Sequence, residues 1–250
     1  MALLHSFESS GNKLFKFRGQ IPVVLFLIAV PFIYYTNYDF LLTNEKIGCI
    51  LLIVCACISA LGQVVRSIAI GTSNKNTSGR NTKEGQVAEA LNTKGIYSTV
   101  RHPLYLGNYL MWIGIVAFTY NIYFVIIVSL LFWLYYERIM FAEERFLERK
   151  FGDSYINWSL KVPAFIPSFK HYEKSEIPFS LKTNLRREYS GVTATIIGFV
   201  FVDLMRLWFI NGEFEFKQGH LIALIVGFGI TLILRSLKHY TKVLHEEDRS

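Results

Sequence analysis

The chain alternates long apolar runs with short polar breaks, and the runs have the length of membrane-spanning helices. Six stand out: Gly19–Tyr35, Ile47–Ile70, Pro103–Tyr120, Ile122–Met140, Gly191–Ile210 and His220–Leu234. About 17–25 helical residues cover a hydrocarbon core of ~30 Å. The pattern therefore predicts an all-α, polytopic transmembrane helix bundle of about six spans. Only Asn121 separates the third and fourth runs, which makes them a tight antiparallel hairpin. The fourth helix is expected to continue into water through Glu143, Glu144 and Leu147 and to stop near Phe151-Gly152. Pro22 falls in the first turn of the first span, where a missing N–H costs little, and Pro31 is placed to kink or end that span.

The polar breaks differ in character. Met1–Arg18 carries Lys13, Lys16 and Arg18 and reads as a basic amphipathic approach to the membrane. Thr36–Lys46 is a short polar turn. Gly71–Lys94 is a loop rich in Ser, Asn, Thr and Gly, with a short surface helix expected over Lys83–Leu91. Asp153–Tyr189 is mixed in charge and interrupted by Pro163, Pro167 and Pro178. Its aromatics (Tyr155, Trp158, Phe165, Phe169, Tyr172, Phe179) are expected on the headgroup layer. Arg235–Ser250 is a charged tail. The chain divides into 1–84 (two helices and a loop), 85–167 (the central hairpin with its flanking motifs) and 168–250 (a polar segment and a last helix pair), with no internal repeat.

Composition agrees with a membrane protein. The 250 residues are 52% hydrophobic and 16% aromatic, with a mean hydropathy of +0.33, too apolar for an ordinary soluble domain. Met1–Gln20 lacks an apolar core and a small-residue cleavage site, so the first run is expected to stay as an anchor. The net charge of +7 is unevenly distributed. Of the 26 Lys and Arg, 22 fall on one proposed side; only Lys46 and Lys217 fall on the other, and Arg66 and Arg206 lie within spans. The positive-inside bias makes that side cytoplasmic, with both termini on it. Cys49, Cys55 and Cys57 lie in one apolar run with no His beside them, and read as small packing residues. The six His are scattered. Neither a metal nor a nucleic-acid partner is expected.

The candidate chemistry sits at the two ends of the hairpin, which the topology brings to one membrane face. At one end, Arg101-His102-Pro103-x-Tyr105 breaks the backbone as the chain enters the bilayer. Pro103 suits the first helical position, and the first amides of that helix favour an anion. A plain membrane-entrance cap, with Arg101 and Tyr105 as interfacial anchors, accounts for the same pattern equally well. At the other end stand Glu137, Arg138, Glu143 and Glu144. Glu137, Phe141 and Glu144 share one helical face, and Glu143 lies about 100° around it. One of the paired acids can then face the hairpin partner while the other faces water. Charges as deep as Glu137 and Arg138 call for partners. Gln63 and Arg66 fall at the same level on the second span, where snorkelling to the headgroups is the commoner role. Asp203 and Arg206, three apart in the fifth span and toward the far face, read as a structural ion pair. No dinucleotide fingerprint, P-loop, HExxH or Gly-x-Ser-x-Gly is present.

In these stretches the chain resembles the isoprenylcysteine carboxyl methyltransferase and phospholipid methyltransferase superfamily of integral membrane enzymes. The shared residues are Gly95-x-Tyr97-x3-Arg101-His102-Pro103-x-Tyr105-x-Gly107, then Glu143-Glu144-x2-Leu147-x3-Phe151-Gly152-x2-Tyr155-x6-Val162-Pro163, ending near Ile166-Pro167. The resemblance covers about residues 85–167. It implies S-adenosylmethionine as methyl donor, bound at the cytoplasmic end of the hairpin, and a lipid or lipid-linked acceptor. By position, Tyr97, Arg101, His102, Pro103, Leu104, Tyr105 and Glu143 contact the cofactor, and Leu91 lies in a loop covering it. His102, Glu144 and Arg138 are the catalytic and substrate-side candidates. Arg138 stands one residue before the family's usual Arg position, which Ile139 occupies.

Methyl transfer from a sulfonium is an in-line displacement that rests mainly on holding the reacting atoms together. A carboxylate or phosphate acceptor is already nucleophilic at neutral pH; an amine needs deprotonation, which Glu144 or His102 can assist. All three acceptors stay open on the sequence. Two other readings also stand: an NADPH-dependent membrane reductase with a related helical core, and a non-catalytic scaffold or transporter. The transporter reading calls for polar groups near mid-bilayer, whereas these cluster at the boundary.

Overall fold

The computed structural model describes residues 2–19, 21–74, 77 and 86–246. Among them every regular element is helical. In chain order these are α1 Leu3–Phe17, α2 Ile21–Tyr34, α3 Asp39–Thr43, α4 Glu45–Gly71, a 3₁₀ turn Gly95–Ser98, α5 Pro103–Ala117, α6 Ile122–Phe151, α7 Asp153–Ser159, α8 Leu181–Asn211 and α9 Gln218–Tyr240.

Among the described residues, four helices are long and apolar enough to cross a membrane: Lys46–Gly71, Ile122–Phe151, Leu181–Asn211 and Gln218–Tyr240. Val23–Tyr34 and Pro103–Ala117 are apolar but shorter. The 15 residues of α5 rise only about 22 Å, so two of the six expected spans fall short of full bilayer thickness. The shortfall in α5 has a local cause. Phe118–Asn121 forms the hairpin turn, with Tyr120 at φ 60°, and the Asn121 side chain caps α6 by accepting from the Phe124 N–H at 3.0 Å. The molecule is a polytopic helical bundle and an integral membrane protein.

Other elements run longer than their hydropathy. Helix α8 begins at Leu181, ten residues before the expected span, because Ser180 accepts from the Thr183 N–H at 3.0 Å and the polar first turns are buried. Thr183, Asn184, Arg186 and Glu188 are all under a tenth exposed. Asn184 donates to the Ser67 carbonyl on α4 at 2.8 Å. The surface helix expected over Lys83–Leu91 is not found where it can be seen. Residues 83–85 lie outside the described residues, and 86–91 are non-helical.

Close packing comes from small residues. A Cβ on Gly62 of α4 would lie 2.5 Å from the carbonyl oxygen of Gly107 on α5, so the two backbones touch. Ser59 donates to the Met111 carbonyl at 2.8 Å across the same seam. Between apolar helices in lipid, such backbone approach and interhelical hydrogen bonding supply the attraction that water supplies elsewhere. Beyond the seam, α2, α4, α5, α6 and α8 share one core that includes Ile33, Cys55, Ile115, Phe124 and Val202. Helix α1 lies along the C-terminal half of α6. Tyr135 donates to the Leu14 carbonyl at 2.8 Å, Glu8 pairs with Arg149 at 2.5 Å, and Gly11 sits against the Arg138 carbonyl where any side chain would collide.

Candidate functional site

The site forms where three segments meet at one end of the hairpin: the loop before α5, the emergent part of α6, and the chain through α7 to residue 168. Backbone bonds lock the first and third together. The Arg101 N–H donates to the Pro163 carbonyl at 2.9 Å, His102 to Ala164 at 3.2 Å, and Ser168 to Thr99 at 2.9 Å. Gly95, at φ +62°, makes the turn that lets its N–H reach the Glu173 carbonyl at 2.9 Å.

His102 is the hub. Its Nε2 lies 2.8 Å from Glu144 Oε1 and its Nδ1 3.6 Å from Glu143 Oε2. Arg101 donates from Nε to Glu144 Oε1 at 3.0 Å, and from Nη1 to the Ser159 and Val162 carbonyls at 2.6 and 3.2 Å. Tyr105 donates to Glu143 Oε2 at 2.9 Å, and its ring is stacked with His102 at 5.6 Å. Burial of the imidazole opposes its charged form, but the hydrogen bonds and charges of Glu143 and Glu144 win and hold His102 above 6.5. Burial, with the charge of Glu143 adding to it, pushes the Tyr97 phenol up to about 12, so it is a neutral wall at physiological pH.

Both acids thus turn inward to one imidazole, where the sequence pattern allowed one to face water. The cause is that His102 presents a nitrogen to each, one helical step apart. Glu137, expected to share their face in need of a partner, is exposed. The α6 register is unbroken, so Arg138 stays where it falls: donating to Ser10 Oγ at 3.3 Å and lying over the Phe7 ring at 4.6 Å, both on α1. Ile139, beside it, is fully buried.

The cluster opens on a cleft that encloses about 790 Å³, its open mouth included. Leu91, Tyr97, Arg101, His102, Pro103, Leu104, Tyr105 and Glu143 all line it. Glu144 stands behind His102 and outside the lining. Tyr155 and Trp158 also form its wall, and Trp158 donates to the Tyr97 carbonyl at 3.2 Å. These two were expected on the headgroup layer; instead the α7 turn carries them inward. The more distant Phe169, Tyr172 and Phe179 are exposed. A cleft with aromatic walls and a carboxylate at one end suits a flat ring joined to a cationic group.

A second cavity of about 1250 Å³, open space included, lies beside the first between α2, α5 and α6. Its lining is apolar (Leu25, Ile28, Trp112, Leu131, Phe132 among others) except near Arg18, Tyr136 and Arg138. The Tyr136 ring is 4.9 Å from that of Tyr105, so one pair of rings divides the two cavities.

Gln63 and Arg66 do not snorkel. Arg66 grips the buried Glu188 of α8 with Nε–Oε2 and Nη2–Oε1, each at 2.8 Å, and Gln63 donates to Glu188 Oε2 at 2.8 Å. Glu188 carries no signal in the sequence beyond being an acid shortly before an apolar run.

Comparison with known proteins places this architecture. Residues 47–154 match the phospholipid methyltransferase family model. The chain is 34% identical over 107 residues to protein-S-isoprenylcysteine O-methyltransferase of Schizosaccharomyces pombe, covering 43% of this chain and 45% of that protein. To the protein of the same name from Tribolium castaneum it is 30% identical over 117 residues, covering 47% and 42%. A nickel-cobalt-cadmium resistance protein of Alcaligenes xylosoxydans is 35% identical over 83 residues, covering 33% and 38%. The chain thus spans less than half the length of these relatives. No solved structure matches it. The motifs at the two ends of the hairpin and these matches together establish the chain's resemblance, over residues 47–154, to the isoprenylcysteine carboxyl methyltransferase and phospholipid methyltransferase superfamily.

Proposed function

We propose that this protein is an S-adenosylmethionine-dependent methyltransferase acting on a lipid-linked carboxylate at the cytoplasmic face of a membrane, with both termini on that face. The observation that carries the reading is the pair of cavities, one ring-walled with Glu143 and His102 in its lining, one apolar and open between helices, divided by Tyr105 and Tyr136. A water-soluble donor and a lipidic acceptor need such a junction.

The residues fit the donor. When bound, S-adenosylmethionine supplies an electrophilic methyl on a sulfonium. Glu143 holds a cationic group, fixed by Tyr105 and His102, while Tyr97, Tyr155 and Trp158 give ring surfaces. Glu144 and Arg101 hold His102 in place from behind, which makes them positioning residues. On the acceptor side, Arg18 and Arg138 line the apolar cavity and favour an anionic headgroup over an amine. A carboxylate oxygen needs no base: it forms the new C–O bond as the C–S bond breaks, and the sulfur keeps the electron pair. The relatives' name, S-isoprenylcysteine O-methyltransferase, agrees with a carboxylate on a prenyl chain.

The test is calorimetric titration of S-adenosylhomocysteine into detergent-purified protein, beside radiolabel transfer to N-acetyl-S-farnesylcysteine. Saturable binding lost in Glu143→Ala, with label in an alkali-labile ester, is expected. No binding by folded protein in lipid would overturn the reading.

A further inference from the structure

We propose that Glu188, on α8 and outside the matched residues 47–154, is a positioning residue: through Arg66 and Asn108 it makes the Tyr136 hydroxyl a donor to the headgroup in the apolar cavity. This rests on reading that cavity as the acceptor site.

The relay follows from hydrogen-bond polarity. Glu188 is 3% exposed, and its carboxylate accepts three bonds, two from Arg66 and one from Gln63. Those contacts occupy Arg66 Nε and Nη2 and aim Nη1 at Asn108 Oδ1, 2.5 Å away. A guanidinium can only donate. Asn108 must therefore turn its oxygen to Arg66 and its amide nitrogen the other way, to the Tyr136 oxygen at 3.2 Å. That amide also can only donate, so Tyr136 is the acceptor in this bond and its own proton is left to point elsewhere. Among the described residues none takes that proton. Tyr136 lines the apolar cavity with Arg18 and Arg138, so an anionic oxygen held by those arginines is the partner that completes it.

Sequence distance hides the device. Arg66 and Glu188 are 122 positions apart. The network also gives α8 a role at the site: removing that helix would leave a partly buried Arg66 without its counter-ion.

Asn108→Asp is the discriminating variant. It keeps the shape and gives Arg66 a carboxylate, but it replaces the amide donor with an acceptor. The Tyr136 proton is then drawn back toward residue 108 and away from the cavity. Asn108→Asp and Tyr136→Phe should each raise the KM for N-acetyl-S-farnesylcysteine about tenfold, the worth of one hydrogen bond to a charged group. S-Adenosylhomocysteine affinity should stay at the wild-type value. Glu188→Gln should give a smaller rise in the same KM. In tyrosine 13Cζ NMR, the resonance lost in Tyr136→Phe should move in Asn108→Asp. An unmoved resonance would overturn the proposal, and so would equal losses of donor and acceptor affinity. If the wild type binds donor but methylates no such probe, the acceptor assignment falls, and the resonance still decides the relay.

Discussion

Two buried clusters of acid, arginine and histidine stand at opposite ends of this bundle, and their contrast shows what makes a polar cluster a site. At one end His102 joins Glu143, Glu144 and Arg101. At the other, Asp203 pairs with Arg206 and meets His220 Nε2 at 2.7 Å, with Lys217 at 3.8 Å. Both lie at helix ends, and both hold their central groups at under a tenth exposed. The difference is what surrounds them. Arg206 donates to the Phe118 carbonyl at 3.2 Å and is packed against the rings of Phe118, Tyr120 and Tyr38, at 4.4, 4.9 and 5.7 Å. Those rings fill the space a ligand would need. Around Glu143 the comparable rings stand back and leave a cleft. The chemistry of the side chains is similar; the presence of room is not. The far cluster staples α8 and α9 to the hairpin turn, as expected of a structural ion pair.

The largest effect should come from breaking the closed cluster. Arg206→Ala leaves Asp203 without its main counter-charge among apolar helices, which costs about 3–5 kcal/mol. Thermal unfolding in detergent should fall accordingly, while S-adenosylhomocysteine affinity below the transition stays at the wild-type value. Glu143→Ala should do the reverse. Truncating one member of a buried charge pair costs binding about 2–3 kcal/mol, or roughly 100-fold. That loss is read by calorimetry and should come with little change in the melting temperature.

Replacing whole clusters sharpens the contrast. Asp203→Leu, Arg206→Met and His220→Phe together remove every charge of the far cluster except Lys217 at its rim. Apolar replacement of a buried ion pair is commonly neutral within about 2 kcal/mol, so this triple variant should fold and retain methyl transfer. The same treatment of His102, Glu143 and Glu144 should fold and transfer nothing.

The smallest effect is a pH dependence confined to the open cluster. His102 is held above 6.5 by the two glutamates. A raised folded-state value means that its contribution to stability is complete below 6.5 and is lost as pH rises through the folded value. The melting-temperature gap between wild type and His102→Asn should therefore narrow as pH increases. A gap that is constant or widens would mean that the imidazole is neutral throughout.

Much of this was legible in the chain. The His102-Pro103 step marks the start of α5 because proline takes the first helical position, and Phe151-Gly152 marks the end of α6; both are local rules and both boundaries agree. All eight residues proposed for the cofactor line one cleft, and five of them, Arg101 to Tyr105, do so because they are contiguous in the chain. The failures share another cause. Hydropathy missed the first ten residues of α8, whose polar side chains are buried by partners on other elements. It read Trp158 as interfacial because an aromatic near a membrane looks the same facing lipid or facing a cleft. It left Arg66 as an anchor because Glu188 is invisible from residue 66.

The sequence by itself determined the long apolar helices, their lipid-facing character and the break that opens α5. Each of these is a sum over neighbouring residues: apolar transfer free energy along a run, or the lost N–H and fixed φ of one proline. Only the tertiary structure decided that both acids face one histidine, that Arg138 finds its partners on α1, that Arg206 is enclosed while Glu143 has a cleft, and that Glu188 of α8 pairs with Arg66. Those are pairwise and volumetric facts. A charge's partner and an empty space depend on groups brought together from distant parts of the chain, and no window along the sequence contains them both.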